Sequence, residues 1–189
     1  KITTAEYELK LPSSGKTIKY RPFLVREEKI LILSLESEDR KQITSAVKQV
    51  LKECVLTKGI KVDQLPSFDI EYLFLNVRSK SVGETIDLVV TCGDDGKTEV
   101  PVTVPIDEIK VTKSDDHSPD IELSDGYKVR MKYPSLSQFI ENNFSEVDSD
   151  DLVEKSFDMV ASTIDMVYND EEMFSAAECT KKELKDWVE

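Results

Sequence analysis

Residues 85–104 read TIDLVVTCGDDGKTEVPVTV, and this stretch decides the fold. Thr85 to Cys92 and Thr98 to Val104 are rich in β-branched residues, and Gly93-Asp94-Asp95-Gly96 between them supplies the turn of a hairpin. Here the hydrophobic period changes from that of a helix to that of a strand. Further strands are expected at Ile106 to Val111 and at Ile121 to Leu123. Asp125-Gly126 is a second hairpin turn. It leads into Tyr127 to Tyr133, where Tyr127, Val129, Met131 and Tyr133 alternate with Lys128, Arg130 and Lys132. Residues 84–133 are therefore expected to form a small antiparallel sheet.

On either side the period is helical. Leu24, Ile30, Leu31, Leu33 and Leu35 give a broad apolar face, and Ser37-Glu38-Asp39 breaks it. Ile43, Val47, Val50, Leu51 and Cys54 then follow the i, i+4, i+7, i+8 stripe of a second helix, closed by Lys58-Gly59. Ser67 is placed to cap a third helix whose stripe is Ile70, Leu73, Phe74 and Val77. It is the most hydrophobic of the set and is expected at the centre. Beyond residue 133, Ser135 caps a short helix with Leu136, Phe139 and Ile140. An acidic run, Glu146 to Asp151, precedes a long pattern through Leu152, Phe157, Val160, Ile164, Val167 and Tyr168. Thr180-Lys181-Lys182-Glu183 matches the capping-box template. The final helix it starts is short enough to be marginal alone, so the chain is expected to continue past Glu189, and before Lys1.

The expected fold class is α+β, mostly helical with a small antiparallel β-sheet inserted in the middle of the chain. Residues 1–23 would be an extended N-terminal arm, 24–83 a helical part, 84–133 the inserted β part, and 134–189 a C-terminal helical part packing with 24–83 as one domain.

The 189 residues carry 25 Lys and Arg against 38 Asp and Glu, a formal charge of −13. Such a chain is repelled by phosphate backbones and anionic lipid, which argues against nucleic acid and membrane as partners. Cys54, Cys92 and Cys179 are an odd, widely spaced set that suits a reducing compartment better than a disulfide scaffold. Cys92 has no second cysteine close by, so no structural metal site is expected. His117 is the only histidine, no strained nucleophile turn accompanies it, and the six glycines form no phosphate cradle. Catalytic, cofactor and metal residues are therefore all read as none, and the protein is read as not an enzyme.

What remains is interactive. Leu9 to Phe23 reads LKLPSSGKTIKYRPF, a basic segment (Lys10, Lys16, Lys19, Arg21) with a turn at Pro12-Ser13-Ser14-Gly15 and a pairing block at Pro22. Lys16, Lys19, Tyr20, Arg21, Phe23 and, at the other end, Trp187 are the candidate partner-binding residues. Tyr, Trp and Arg are over-represented at the energetic centres of interfaces. The arm is expected to lie outside the core.

LPSSGKTIKYRPFLVREEKILILSLES, Leu11 to Ser37, resembles the N-terminal signature of the T4-like phage baseplate hub proteins. LPSFDIEYLFLNVRSKSVGE, Leu65 to Glu84, continues the resemblance, as do the β segment and the region from Phe174 to Leu184. It implies a non-enzymatic component or assembly factor of the central hub of a contractile-tail baseplate. Other hub or tail proteins would be its partners, with self-association an option. It would reside in the virion tail, and in the host cytoplasm during assembly. The alternative is a transient acidic chaperone for another tail or hub protein that leaves before maturation. A third class, a hydrolase with no site visible in sequence, would show itself in activity screening with a His117→Ala control. The sequence departs from some relatives in one respect: paired cysteines in the β segment are reduced to Cys92.

Overall fold

Asp39 divides the first helical region as its side chain predicts, its carboxylate accepting from the Lys41 N–H at 2.8 Å. The computed structural model describes residues 4–123, 126–138 and 152–187. Before this cap lies α1 (Val25–Glu36), and after it α2 (Arg40–Cys54). The second helix ends at Cys54, ahead of the expected Lys58-Gly59 stop, because Val55 turns extended to bridge Tyr20. A 3₁₀ turn at Val62–Gln64 leads to α3 (Ser67–Ser81), on which Ile70, Leu73 and Val77 are buried and Phe74 is half-buried.

The expectation of a mostly helical chain with one small inserted sheet is overturned. The described residues hold three separate sheets, one of them four-stranded. The first pairs β1 (Tyr7–Lys10) with β2 (Thr17–Tyr20), placing Leu9 opposite Ile18 in the interior. The second is the quoted hairpin, β3 (Thr85–Thr91) with β4 (Glu99–Pro105). The third has the order β5 (Asp120–Glu122), β6 (Lys128–Met131), β7 (Ile164–Tyr168), β8 (Met173–Ser175). Residues 84–133 thus contribute to two sheets, and the third draws half its strands from the C-terminal part.

The error at β7 has a physical cause. Ile164, Val167 and Tyr168 have helical spacing, but IDMVY is also a run of strand formers. The helix before it, α4 (Leu152–Ser162), ends where the Ser162 and Thr163 hydroxyls donate back to the Met159 and Val160 carbonyls, both at 2.7 Å. Pairing with β6 then sets Val167 opposite Val129, burying both. The capping box forms as read. Thr180 accepts from the Glu183 N–H at 3.3 Å and donates its own N–H to Glu183 at 2.7 Å, starting α5 (Lys181–Asp186). Phe139, Ile140, the acidic run Glu146 to Asp151 and the Asp125 turn position lie outside the described residues.

The chain divides into two compact units, Lys1–Thr112 and Lys113–Glu189. The first holds β1 to β4 and α1 to α3, with Leu11, Ile18, Val50, Leu51, Cys54, Leu73 and Val77 among its most buried residues. The second is centred on Val129, Ile164 and Val167. Leu73→Ala should cost about 2–5 kcal/mol in urea unfolding, and Phe74→Ala less than Leu73→Ala, because only the first side chain is enclosed on all sides. The reverse ranking would mean that the helix presents a different face to the core.

Candidate partner-binding surface

The N-terminal segment is short and polar at its turn. Leu11 donates its N–H to the Lys16 carbonyl at 2.9 Å, and Gly15 donates to Leu11 at 2.8 Å. Gly15 has φ +68°, the left-handed region that favours glycine. From this turn β2 runs against the chain that leaves α2. The Arg21 N–H bonds the Cys54 carbonyl at 2.9 Å, the Leu56 N–H bonds the Lys19 carbonyl at 2.8 Å, and the Lys19 N–H bonds Thr57 Oγ1 at 2.7 Å. Tyr20 is 2% exposed, its ring 5.8 Å from that of Tyr7. The segment expected to lie outside the core is therefore woven into it.

Arg21 points inward as well. Its Nη2 donates to Glu27 Oε1 at 3.2 Å, and Arg26 Nη2 donates to the same oxygen at 2.9 Å. The Leu24 N–H donates to Glu27 Oε2 at 2.6 Å. Burial alone would raise the Glu27 pKa, but these donors and the Arg21 charge outweigh it and hold the carboxyl at about 2. A second buried carboxylate, Asp69 in the first turn of α3, accepts the Ser13 N–H at 2.9 Å and the Ser13 hydroxyl. The arm's turn and its basic end are each tied to a helix start, where negative charge is favoured.

The remaining candidates do not gather around Tyr20. Lys16 and Lys19 are exposed, Lys19 lying 3.8 Å from Glu8. Phe23 is half-buried, and its N–H bonds Ser81 Oγ at 3.0 Å. Trp187 belongs to the second unit, packing on the Val129, Ile164, Val167 cluster with its ring 5.2 Å from that of Tyr127. Trp187 is thus half-buried within its own unit.

Chemistry-bearing groups are likewise occupied. Burial pushes the Cys54 thiol up to about 11, so it remains protonated and unreactive. His117 Nε2 lies 2.8 Å from the Tyr133 hydroxyl, and the two rings stack with centroids 5.8 Å apart. Among the described residues no group of three or more His, Cys, Asp or Glu could hold a metal ion, and no helix is long and apolar enough to cross a membrane.

What the first unit leaves open is apolar surface. On α1, Val25, Ile32, Leu33 and Leu35 are exposed, and on the β3–β4 hairpin so are Leu88, Val89, Val90, Val100 and Val102. The sequence carries the signal for the hairpin's apolar face, since Ile86, Leu88 and Val90 on one strand and Val100, Val102 and Val104 on the other recur at every second position. Contiguous exposed apolar surface is uncommon on a monomer and marks places where other molecules bind.

A family model described as T4 bacteriophage base plate protein matches residues 4–189. The chain belongs to that family. Neither a curated protein nor a solved structure matches it. As a baseplate protein it has a structural role in the phage tail baseplate, with other baseplate proteins as its partners. The family suggests a role without catalysis, in keeping with a surface whose open features are apolar.

Glu27 makes this baseplate protein's stability acid-sensitive in a defined window. Its folded pKa lies below the ordinary 4.5. The unfolded chain therefore binds the proton more tightly, and the stabilisation is complete above 4.5 and drains as pH falls toward 2. Glu27→Gln should flatten the loss of unfolding free energy across that window. Arg21→Ala should cost about 1.5–3 kcal/mol at neutral pH by removing a charged donor from a buried carboxylate. An Arg21→Ala protein that melts like wild type would place Arg21 outside the core after all.

Proposed function

We propose that this chain is a structural or assembly protein of the central hub of the baseplate, acting by protein–protein contact and without catalysis. The observation that carries the reading is the family match across residues 4–189. The hub assignment is supported by the motifs of Leu11–Ser37 and Leu65–Glu84, which resemble those of hub members. In the structure these motifs tie the N-terminal hairpin to two helix starts. The LPSSG turn supplies Ser13 to Asp69, and the YRPF segment supplies Arg21 to Glu27. Asp69 comes from the LPSFD motif itself, so the two stretches meet where Ser13 donates both its N–H and its hydroxyl to that carboxylate. On this reading the protein is made in the host cytoplasm and enters the tail there, using its uncovered apolar surface to bind neighbours.

The second reading, a transient assembly chaperone, draws on the net charge of −13, which suits a protein that must stay soluble while holding another. Copy number separates the two. Quantitative mass spectrometry of purified virions should find the chain at a fixed number per tail. Its absence from virions, with hub assembly failing when its gene is removed, would favour the chaperone. Complete hubs formed without it would contradict both.

A further inference from the structure

The β3–β4 hairpin sorts its side chains by register. Ile86 faces Val104, Leu88 faces Val102 and Val90 faces Val100, so six aliphatic side chains line one face of the ribbon. The other face is mixed, with Val89 and Pro101 among Thr85, Asp87, Thr91, Glu99 and Thr103, and the Thr103 hydroxyl donates to Asp87 at 2.7 Å. The root is anchored, because Ile106 is buried and its N–H bonds the Glu84 carbonyl at 2.9 Å. Toward the tip the apolar face opens. Ile86 and Val104 are half-buried, but Leu88 is 46%, Val102 39%, Val90 49% and Val100 45% exposed. A two-stranded ribbon is marginal in water without something packed on its apolar face.

The two edges differ. Cys92 donates its N–H to the Thr98 carbonyl at 2.7 Å, and Ile106 does so to Glu84. With the unbroken register between them, these bonds make the even-numbered residues the hydrogen-bonded pairs and turn odd-numbered backbone groups outward. On β4 the outward positions include Pro101 and Pro105, which have no N–H to offer, so this edge resists strand addition. On β3 the Thr85 carbonyl accepts from Arg78 Nη1 at 3.5 Å, and the outward groups of Asp87, Val89 and Thr91 beyond it are available for strand addition.

Charge identifies the kind of partner. Beyond its root, where Glu84 pairs with Lys80, the hairpin carries Asp87, Asp94, Asp95 and Glu99 against Lys97. The Thr98 hydroxyl, with the N–H groups of Thr98 and Lys97, holds Asp95 at about 2, so it is anionic at any physiological pH. A second copy would bring the same carboxylates together on chains already at −13. A basic surface would complement them.

We propose that the β3–β4 hairpin is the docking element of this protein, seated on another baseplate protein whose receiving surface is apolar at its centre, offers a strand edge to β3 and is rimmed by Lys or Arg. The proposal rests on the baseplate reading and adds the surface and the chemistry of its partner. Buried apolar rows supply the affinity, and the acidic tip supplies orientation and encounter rate.

The test uses the full chain supplied in trans to phage lacking the gene, with a photocrosslinking residue at Val90. A Leu88→Ser/Val102→Ser variant and an Asp94→Asn/Asp95→Asn/Glu99→Gln variant run beside it. Irradiation in infected cells during tail assembly should join Val90 to one tail protein, at an apolar segment flanked by Lys or Arg. The serine variant should melt like wild type, since both side chains are exposed, yet lower the yield of infectious particles by about tenfold or more. The acid-neutralised variant should lower it by a smaller factor. A crosslink to a second copy or within the same chain, no crosslink, or full particle yield from the serine variant would each overturn the proposal. If the wild-type chain fails to restore particles to the gene-deficient phage, the baseplate reading itself falls, and this inference with it.

Discussion

A carboxylate buried beside a helix start must be supplied with donors, and the first unit is organised around meeting that demand at Glu27. Left unmatched, a charge 1% exposed would cost several kcal/mol. Arg21 reaches it from the N-terminal hairpin, Arg26 from its own helix, and the Leu24 backbone from the cap position. The arrangement fixes where β2 ends relative to where α1 begins. Pro22, whose carbonyl accepts from Arg21 Nη1 at 2.9 Å, holds the corner between them. Asp69 repeats the device at α3 through Ser13. With both in place, Leu11, Ile18 and Tyr20 are held in the interior.

This turns the expected roles of two hairpins around. The basic, aromatic segment from Leu9 to Phe23 has the composition of an interface, yet its Tyr20 and Arg21 are used inside its own unit. The hairpin of residues 85–104 has the composition of a core and is largely uncovered. A baseplate component gains from such a division. Rigid internal ties let the protein present a fixed apolar surface, so less ordering has to be paid on assembly.

Much of the local structure was legible from residue chemistry. The Asp39 break, the stripe of Ile70, Leu73 and Val77, the GDDG turn and the Thr180–Glu183 capping box are local signals, and local interactions decide them. Two kinds of feature were not. The first is strand pairing across distance: Tyr7–Lys10 is too short to announce itself, and Ile164–Tyr168 fits a helix as well as a strand until Val129 is set opposite Val167. The second is the direction in which a charged side chain points. Arg21 reads as a surface residue because nothing in its neighbourhood reveals that Glu27 will be buried, although the spacing of the pair across Pro22 is a usable sign. Trp187 misleads similarly, since its cover is Tyr127 and the Val129 cluster, far away in sequence.

Native-state amide hydrogen exchange tests the central claim, that the N-terminal hairpin belongs to the core while the β3–β4 hairpin faces outward. The Arg21 and Leu56 amides, bonded to Cys54 and Lys19 across the hairpin's seam, should exchange as slowly as the Val77 amide of α3. The outward amides of Val89 and Thr91 should exchange close to the rate of an unstructured peptide. Fast exchange at Arg21 and Leu56 together with protection at Val89 and Thr91 would contradict the account.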